Sequence, residues 1–217
     1  MLCLKRNELI VSLAALVPLS LIYIDEPVLT WVRTFHGANP DVSQFLRLFD
    51  KIMYYAAHGT TMIVGAFLYL LYGRYVNREL QDSGKSLLIG LVASGLSVQL
   101  LKHLIGRARP RITDSLVIIG PSLKGSYDSF PSGHSAMAFC LAAVLTQHYP
   151  KYWILFYLFA VFEGLARIDG TSHFPGDVLA GAVLGTLIAR LVETGLARRN
   201  RTASGCDSHN LDKFVPY

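Results

Sequence analysis

Charge is scarce in this chain. Only 16% of its 217 residues are Asp, Glu, Lys or Arg and 52% are apolar, against about 25% charged in an ordinary soluble domain. That shortfall excludes a water-soluble globule of this size and implies a polytopic protein folded against a bilayer. Cysteine is scarce too. Cys3, Cys140 and Cys206 stand far apart, with Cys140 inside an apolar run, so no pair suggests a structural disulfide. No concentrated basic stripe is present either. The formal charge of +5 comes from bases scattered between apolar runs, which argues against nucleic acid as a partner. No small-x-small cleavage site follows the first apolar run, so an uncleaved span is expected there rather than a signal peptide.

The runs that remain predict an all-α, polytopic membrane bundle with six transmembrane helices. The spans are expected at Leu9 to Ile24, Ile52 to Gly73, Ser86 to Ile105, His134 to Tyr149, Tyr152 to Ile168 and Pro175 to Thr194. The first should stop at Asp25-Glu26. After it, apolar side chains alternate with charges, and Trp31 and Phe35 share a face. This stretch reads as a short interfacial helical region broken at Gly37 to Pro40. The spans form one domain over residues 1–195, followed by a polar tail over 196–217 that lacks helical periodicity. Gly181-x-x-x-Gly185 and Gly90-x-x-x-Ser94 have the spacing of close helix packing.

Lys5, Arg6, Arg74, Arg78, Lys85, Lys151, Arg198, Arg199 and Arg201 all fall on one side of this plan. The positive-inside rule makes that side cytoplasmic, with both termini on it. Lys102, Arg107, Arg109, Arg111, Lys124 and Arg167 fall on the other side. Bases that break a topology rule at one place suggest a site for an anion.

Three clusters lie on that outer side. In "KHLIGRARP", Pro110 disfavours helix at Arg109, so the third span should end near Gly106 with Lys102 inside that end. Snorkelling of bases at a helix end is the plain alternative. In "FPSGHSA", Ser132 is a good N-cap, Gly133 permits close approach of a ligand, and the helix start at His134 offers N–H groups suited to phosphate. Finally, Arg167 ends the fifth span, His173 follows in the loop and Asp177 opens the sixth. Asp177 could simply complement the helix dipole, yet a spacing of four lets it reach back to His173.

Together, Lys-x6-Arg-Pro, Pro-Ser-Gly-His and Arg-x5-His-x3-Asp resemble the type 2 phosphatidic acid phosphatase (PAP2) family, which shares its site with vanadium haloperoxidases. The motif core covers residues 86–192. One departure is Ala166, where the family often has Ser before the Arg. The resemblance implies a phosphohydrolase using neither metal nor other cofactor. In it His173 is the nucleophile, Asp177 holds its ring, and His134 is the general acid and then the base. Lys102, Arg109, Ser132, Gly133 and Arg167 bind phosphate. The implied partner is a phosphorylated lipid in the bilayer: phosphatidic acid, phosphatidylglycerophosphate, undecaprenyl pyrophosphate or lipid A. The compact loops resemble bacterial members, so the expected setting is the inner (cytoplasmic) membrane with the site facing the periplasm. A non-enzymatic lipid-phosphate carrier or flippase is the alternative. It would need the bases but not both histidines and the aspartate.

Overall fold

The computed structural model describes residues 11–12 and 14–203. The predominantly apolar stretches become helices: α1 (Ala14–Ala38), α2 (Pro40–Ala56), α3 (Gly59–Val76), α4 (Arg78–Ile105), α5 (Gly133–His148), α6 (Trp153–Asp169) and α7 (Pro175–Ala203). No strand occurs among the described residues, only an isolated bridge between Arg107 and Ile118. Breaks fall where the chain carries punctuation. Asn39-Pro40 separates α1 from α2, with Pro40 at the first helical position. Asn77 caps α4 by accepting a hydrogen bond from the Leu80 N–H at 2.8 Å. Gly106 ends α4 in the left-handed region at φ 63°, where a Cβ would meet the Gly120 carbonyl oxygen.

Among the described residues, three helices (α1, α4 and α7) are long and apolar enough to cross a membrane. The pair α2 and α3, bent by 48° at Ala57-His58, could serve as a fourth span. Helix α5 has 16 residues, about 24 Å of helix at 1.5 Å per residue, and so falls short of a hydrocarbon core of about 30 Å.

Three expected boundaries move. Helix α1 does not stop at Asp25-Glu26 but runs on to Ala38 through a π-turn at Ser20–Ile24. Asp25 is buried and hydrogen-bonded rather than set in water at a helix end. The second span straddles the bend at Ala57-His58 instead of beginning at Ile52. The tail after Leu196 stays helical to Ala203, because Ala-Arg-Arg favours helix and no Gly or Pro interrupts it before Gly205. Cys3, Cys206 and the rest of the tail lie outside the described residues.

Helix α5 is the hub, packed against α4, α6 and α7. Small residues permit this. A Cβ on Gly181 would stand 2.5 Å from the Ser132 carbonyl oxygen, and one on Gly185 would stand 1.9 Å from that of Ala136. Gly90 meets Cys140 in the same way. The closest approach of α7 thus lies along the first turns of α5. Leu87, Leu91, Met137, Cys140, Val144 and Ala189 fill the core beside it.

Candidate active site

A cavity of about 980 Å³ opens where α4 ends, α5 begins and the α6–α7 loop turns over. Lys102, Arg109, Gly133, His134, Arg167 and His173 all line it. Ser132 and Asp177 stand fully buried directly behind its wall. The three sequence clusters therefore meet at one place.

Each residue is held by local structure. Lys102 projects from the last turns of α4 and is 6% exposed. Ser132 caps α5, its hydroxyl accepting from the Ser135 N–H at 3.4 Å and the Ser135 hydroxyl at 2.9 Å. The Ser132 N–H donates to the Asp177 carbonyl at 2.9 Å, tying the start of α5 to that of α7. Arg167 ends α6, and its carbonyl accepts the N–H groups of Ser172 and His173 at 3.1 and 3.2 Å. His134 faces Tyr54 and His58, ring centroids 5.0 and 6.0 Å away, and its buried Nε2 has no hydrogen-bond partner. Ala166, the departure from the motif, is buried away from the cavity wall.

His173 Nδ1 lies 3.6 Å from Asp177 Oδ2, beyond hydrogen-bond length but close enough to face it. The carboxylate thus faces Nδ1 rather than Nε2. Burial pulls the His173 pKa down to about 4 from an ordinary 6.5, outweighing the opposing pull of Asp177. Lys102 lowers it further. The ring is thus neutral at physiological pH.

The Asp177 carboxylate is more heavily engaged than its spacing to His173 suggests. It accepts from Arg107 Nη1 at 2.5 Å, from the Ser129 hydroxyl at 2.6 Å and from the Phe174 N–H at 2.9 Å. Arg107 also donates to Asp25 of α1 at 2.7 Å and lies over the Phe174 ring, 4.2 Å from its centroid. Asp25 in turn accepts from the Ser20 hydroxyl and the Gly176 N–H. Charge alone marked Arg107 as one more outer base. Its role as a buried clamp between α1 and α7 depends on partners far away in sequence.

Three further carboxylates escaped the motif reading. Asp128 grips Arg109 with both oxygens, and Asp50 of α2 pairs with Arg167. Glu163, one helical turn before Arg167, lies 3.0 Å from its Nε. His58 also lines the cavity, whereas His103 bonds its own helix at Gln99 and does not. His36 and His148 pair with Asp169 and Glu193. Among the described residues no group of three or more His, Cys, Asp or Glu side chains converges as a metal site requires.

Such a wall can hold a tetrahedral oxyanion between cations and helix N–H groups while presenting a neutral imidazole edge to it. Known proteins are similar in sequence and in fold. Residues 83–201 match the PAP2 superfamily. A lipid A 1-phosphatase of Rhizobium johnstonii is 35% identical over 118 residues, covering 53% of this chain and 48% of the relative. The chain thus spans about half the length of that relative. Phosphatidylglycerophosphatase B of Bacillus subtilis is 32% identical over 143 residues, 61% of this chain and 64% of the relative. The crystal structure of a transmembrane PAP2-type phosphatidylglycerolphosphate phosphatase from Bacillus subtilis superposes with a TM-score of 0.58. It has 24% identity and covers 87% of this chain and 96% of that one, a likeness of fold. The superfamily match extends over more than half of the chain and takes in every motif residue at the cavity from Lys102 to Asp177, and the chain belongs to the PAP2 superfamily.

Proposed function

We propose that this chain is an integral membrane phosphatase that hydrolyses a phosphomonoester or pyrophosphate of a membrane lipid through a phosphohistidine, without a metal ion. The observation that carries the reading is the meeting of Lys102, Arg109, Arg167, His134 and His173 on one cavity wall. Three cations can hold the equatorial oxygens of a phosphoryl group as its charge rearranges, which is the main task in phosphoryl transfer.

The electron pair on His173 Nε2 attacks phosphorus, and the bond from phosphorus to the departing oxygen breaks. Asp177 faces Nδ1 and stabilises the charge that develops on the ring. His134, whose protonated form the negative charge of a bound phosphate favours, gives its proton to the departing oxygen, then takes one from the water that cleaves the P–N bond. Inorganic phosphate and free His173 result. Ser132 and the Gly133 N–H add neutral donors at the start of α5.

Lys5, Arg6, Arg74, Arg78, Lys85, Lys151, Arg198, Arg199 and Arg201 fall on the side opposite the site, and under the positive-inside rule they support six crossings, cytoplasmic termini and a site facing the periplasm of a bacterial inner membrane. The names of the relatives support lipid A or phosphatidylglycerophosphate as substrate classes. Phosphatidic acid and undecaprenyl pyrophosphate fit the same chemistry. A carrier or flippase would need the cations but not the histidine pair.

Phosphate release from those four lipids by the detergent-purified chain, in excess chelator, is the direct test. Release is expected from at least one of them. His173→Ala should lower it by at least about a thousandfold while the thermal unfolding profile is kept. An active His173→Ala variant would end the phosphohistidine reading. Lipid-phosphate movement across vesicles with no phosphate released would favour the carrier.

A further inference from the structure

Asp128 sits in the α4–α5 loop, on the wall of the same cavity. Its Oδ1 accepts from Arg109 Nε at 2.6 Å and its Oδ2 from Arg109 Nη2 at 2.9 Å. Lys102 Nζ lies 3.8 Å from Oδ2 and donates to the backbone carbonyl of Asp128. One carboxylate therefore spans two of the three cations assigned to phosphate. Burial would raise its pKa, but the hydrogen bonds from Arg109 and the charge of Lys102 hold it below the usual carboxylate range. It is an anion at any pH where the protein works.

The two-oxygen grip on a guanidinium fork is the geometry that a phosphate would itself adopt. Phosphate and Asp128 cannot both occupy that fork, so an entering headgroup has to displace the carboxylate. A terminal phosphate or pyrophosphate brings two or more negative charges to the exchange. A phosphodiester headgroup brings only one and replaces a carboxylate with an anion of equal charge. Nothing then offsets the loss of a bond already made inside the protein. Bilayers consist largely of phosphodiester lipids, so a cage without this competitor would stand among a great excess of wrong anions.

We propose that Asp128 is a specificity-determining counter-ion, which yields to dianionic phosphate ends and keeps singly charged phosphodiester headgroups off Arg109 and Lys102. The proposal rests on the reading of the cavity as a lipid-phosphate site. It casts Asp128 as a positioning residue that acts through the cations and takes no part in bond making.

The test uses the full chain in detergent micelles. Binding of inorganic phosphate is measured by calorimetry at pH 8, where it is a dianion, for wild type and for Asp128→Asn, Asp128→Ala and Asp128→Glu. Turnover is then followed as phosphatidylglycerol is added to the micelles. If Asp128 occupies the fork in about nine molecules of ten, its removal should tighten phosphate binding about tenfold. Phosphatidylglycerol should become an inhibitor of the Asn and Ala variants while leaving wild type unaffected. Asp128→Glu should restore both properties. Phosphate binding that is unchanged or weaker in the Asn and Ala variants overturns the proposal, as does indifference of those variants to phosphatidylglycerol. A wild-type chain that neither binds phosphate nor releases it from lipid fails the functional reading, and this proposal with it.

Discussion

His173 lies in the α6–α7 loop, where burial favours its neutral form and lowers its pKa to about 4. The protonated ring has no electron pair to offer phosphorus. Protonation should therefore remove the proposed nucleophile only as pH falls through about 4, not through the ordinary 6.5. Phosphoenzyme formation in single turnovers, corrected for the substrate's own ionisation, should hold down to about pH 5. Lys102 contributes to the depression, so Lys102→Met should move the acid limb upward as well as slow the step. Asp177→Asn removes an opposing pull and should move the limb downward. An acid limb near pH 6.5 in the native chain would show that the ring is not desolvated as described. That Lys102, Arg109, His134, Arg167 and His173 stand at one cavity was in keeping with their motif spacing, because each motif is a short stretch around a helix end. Asp50 could not. It meets Arg167 across 117 positions, and no local pattern announces an acid that a distant helix brings in. Asp128, in a loop without periodicity, carried no signal of its own.

Helices α5 and α7 meet through backbone, and this contact sets how closely Asp177 approaches Ser132. At Gly185 an added Cβ would fall 1.9 Å from a carbonyl oxygen of α5, and neither main chain can yield locally. Gly185→Val should destabilise the protein by about 1–3 kcal/mol or more through overpacking. It should also depress activity by displacing the first turn of α5. Gly195 lies in the same helix with nothing within 4 Å of its Cβ position. Gly195→Ala should be neutral or stabilising by about 0.5–1 kcal/mol, the helical gain over glycine. Thermal unfolding of both variants in one detergent makes the comparison, and equal melting temperatures would contradict the packing described. The small-residue spacings foretold this contact, and Asn77, Gly106 and Ser132 mark helix ends as their chemistry requires. The course of α1 past Asp25 was hidden. A charged pair at the end of an apolar run looks like an exit into water, and partners as distant as Arg107 and the Gly176 N–H make burial of Asp25 tolerable.

Across the whole molecule, the motif residues gather at the end of the bundle where α4 stops, opposite the end where it starts. Single cysteines at Lys124 and Thr171, in a chain whose Cys3 and Cys206 are replaced, should react with an impermeant thiol reagent from the periplasmic side of intact cells. A cysteine at Asp82 should react only after the membrane is opened. Reversed labelling would invert the orientation proposed from the Lys and Arg count. The helical class was legible from hydrophobic run length, but the number of crossings was less so. Helices as short as α5 satisfy a hydropathy window only with help from neighbouring turns. The clamp of Asp25, Arg107 and Asp177 joins the earliest described helix to the last one, with Gly176 bonding to a partner 151 positions away. During synthesis, α1 leaves the ribosome long before α7. Until α7 arrives, Asp25 and Arg107 lack their third member and the ring of His173 has no carboxylate to face. The site is therefore completed only when α7 joins the bundle, and a nascent chain halted before Asp177 holds its cations without the carboxylate that faces His173.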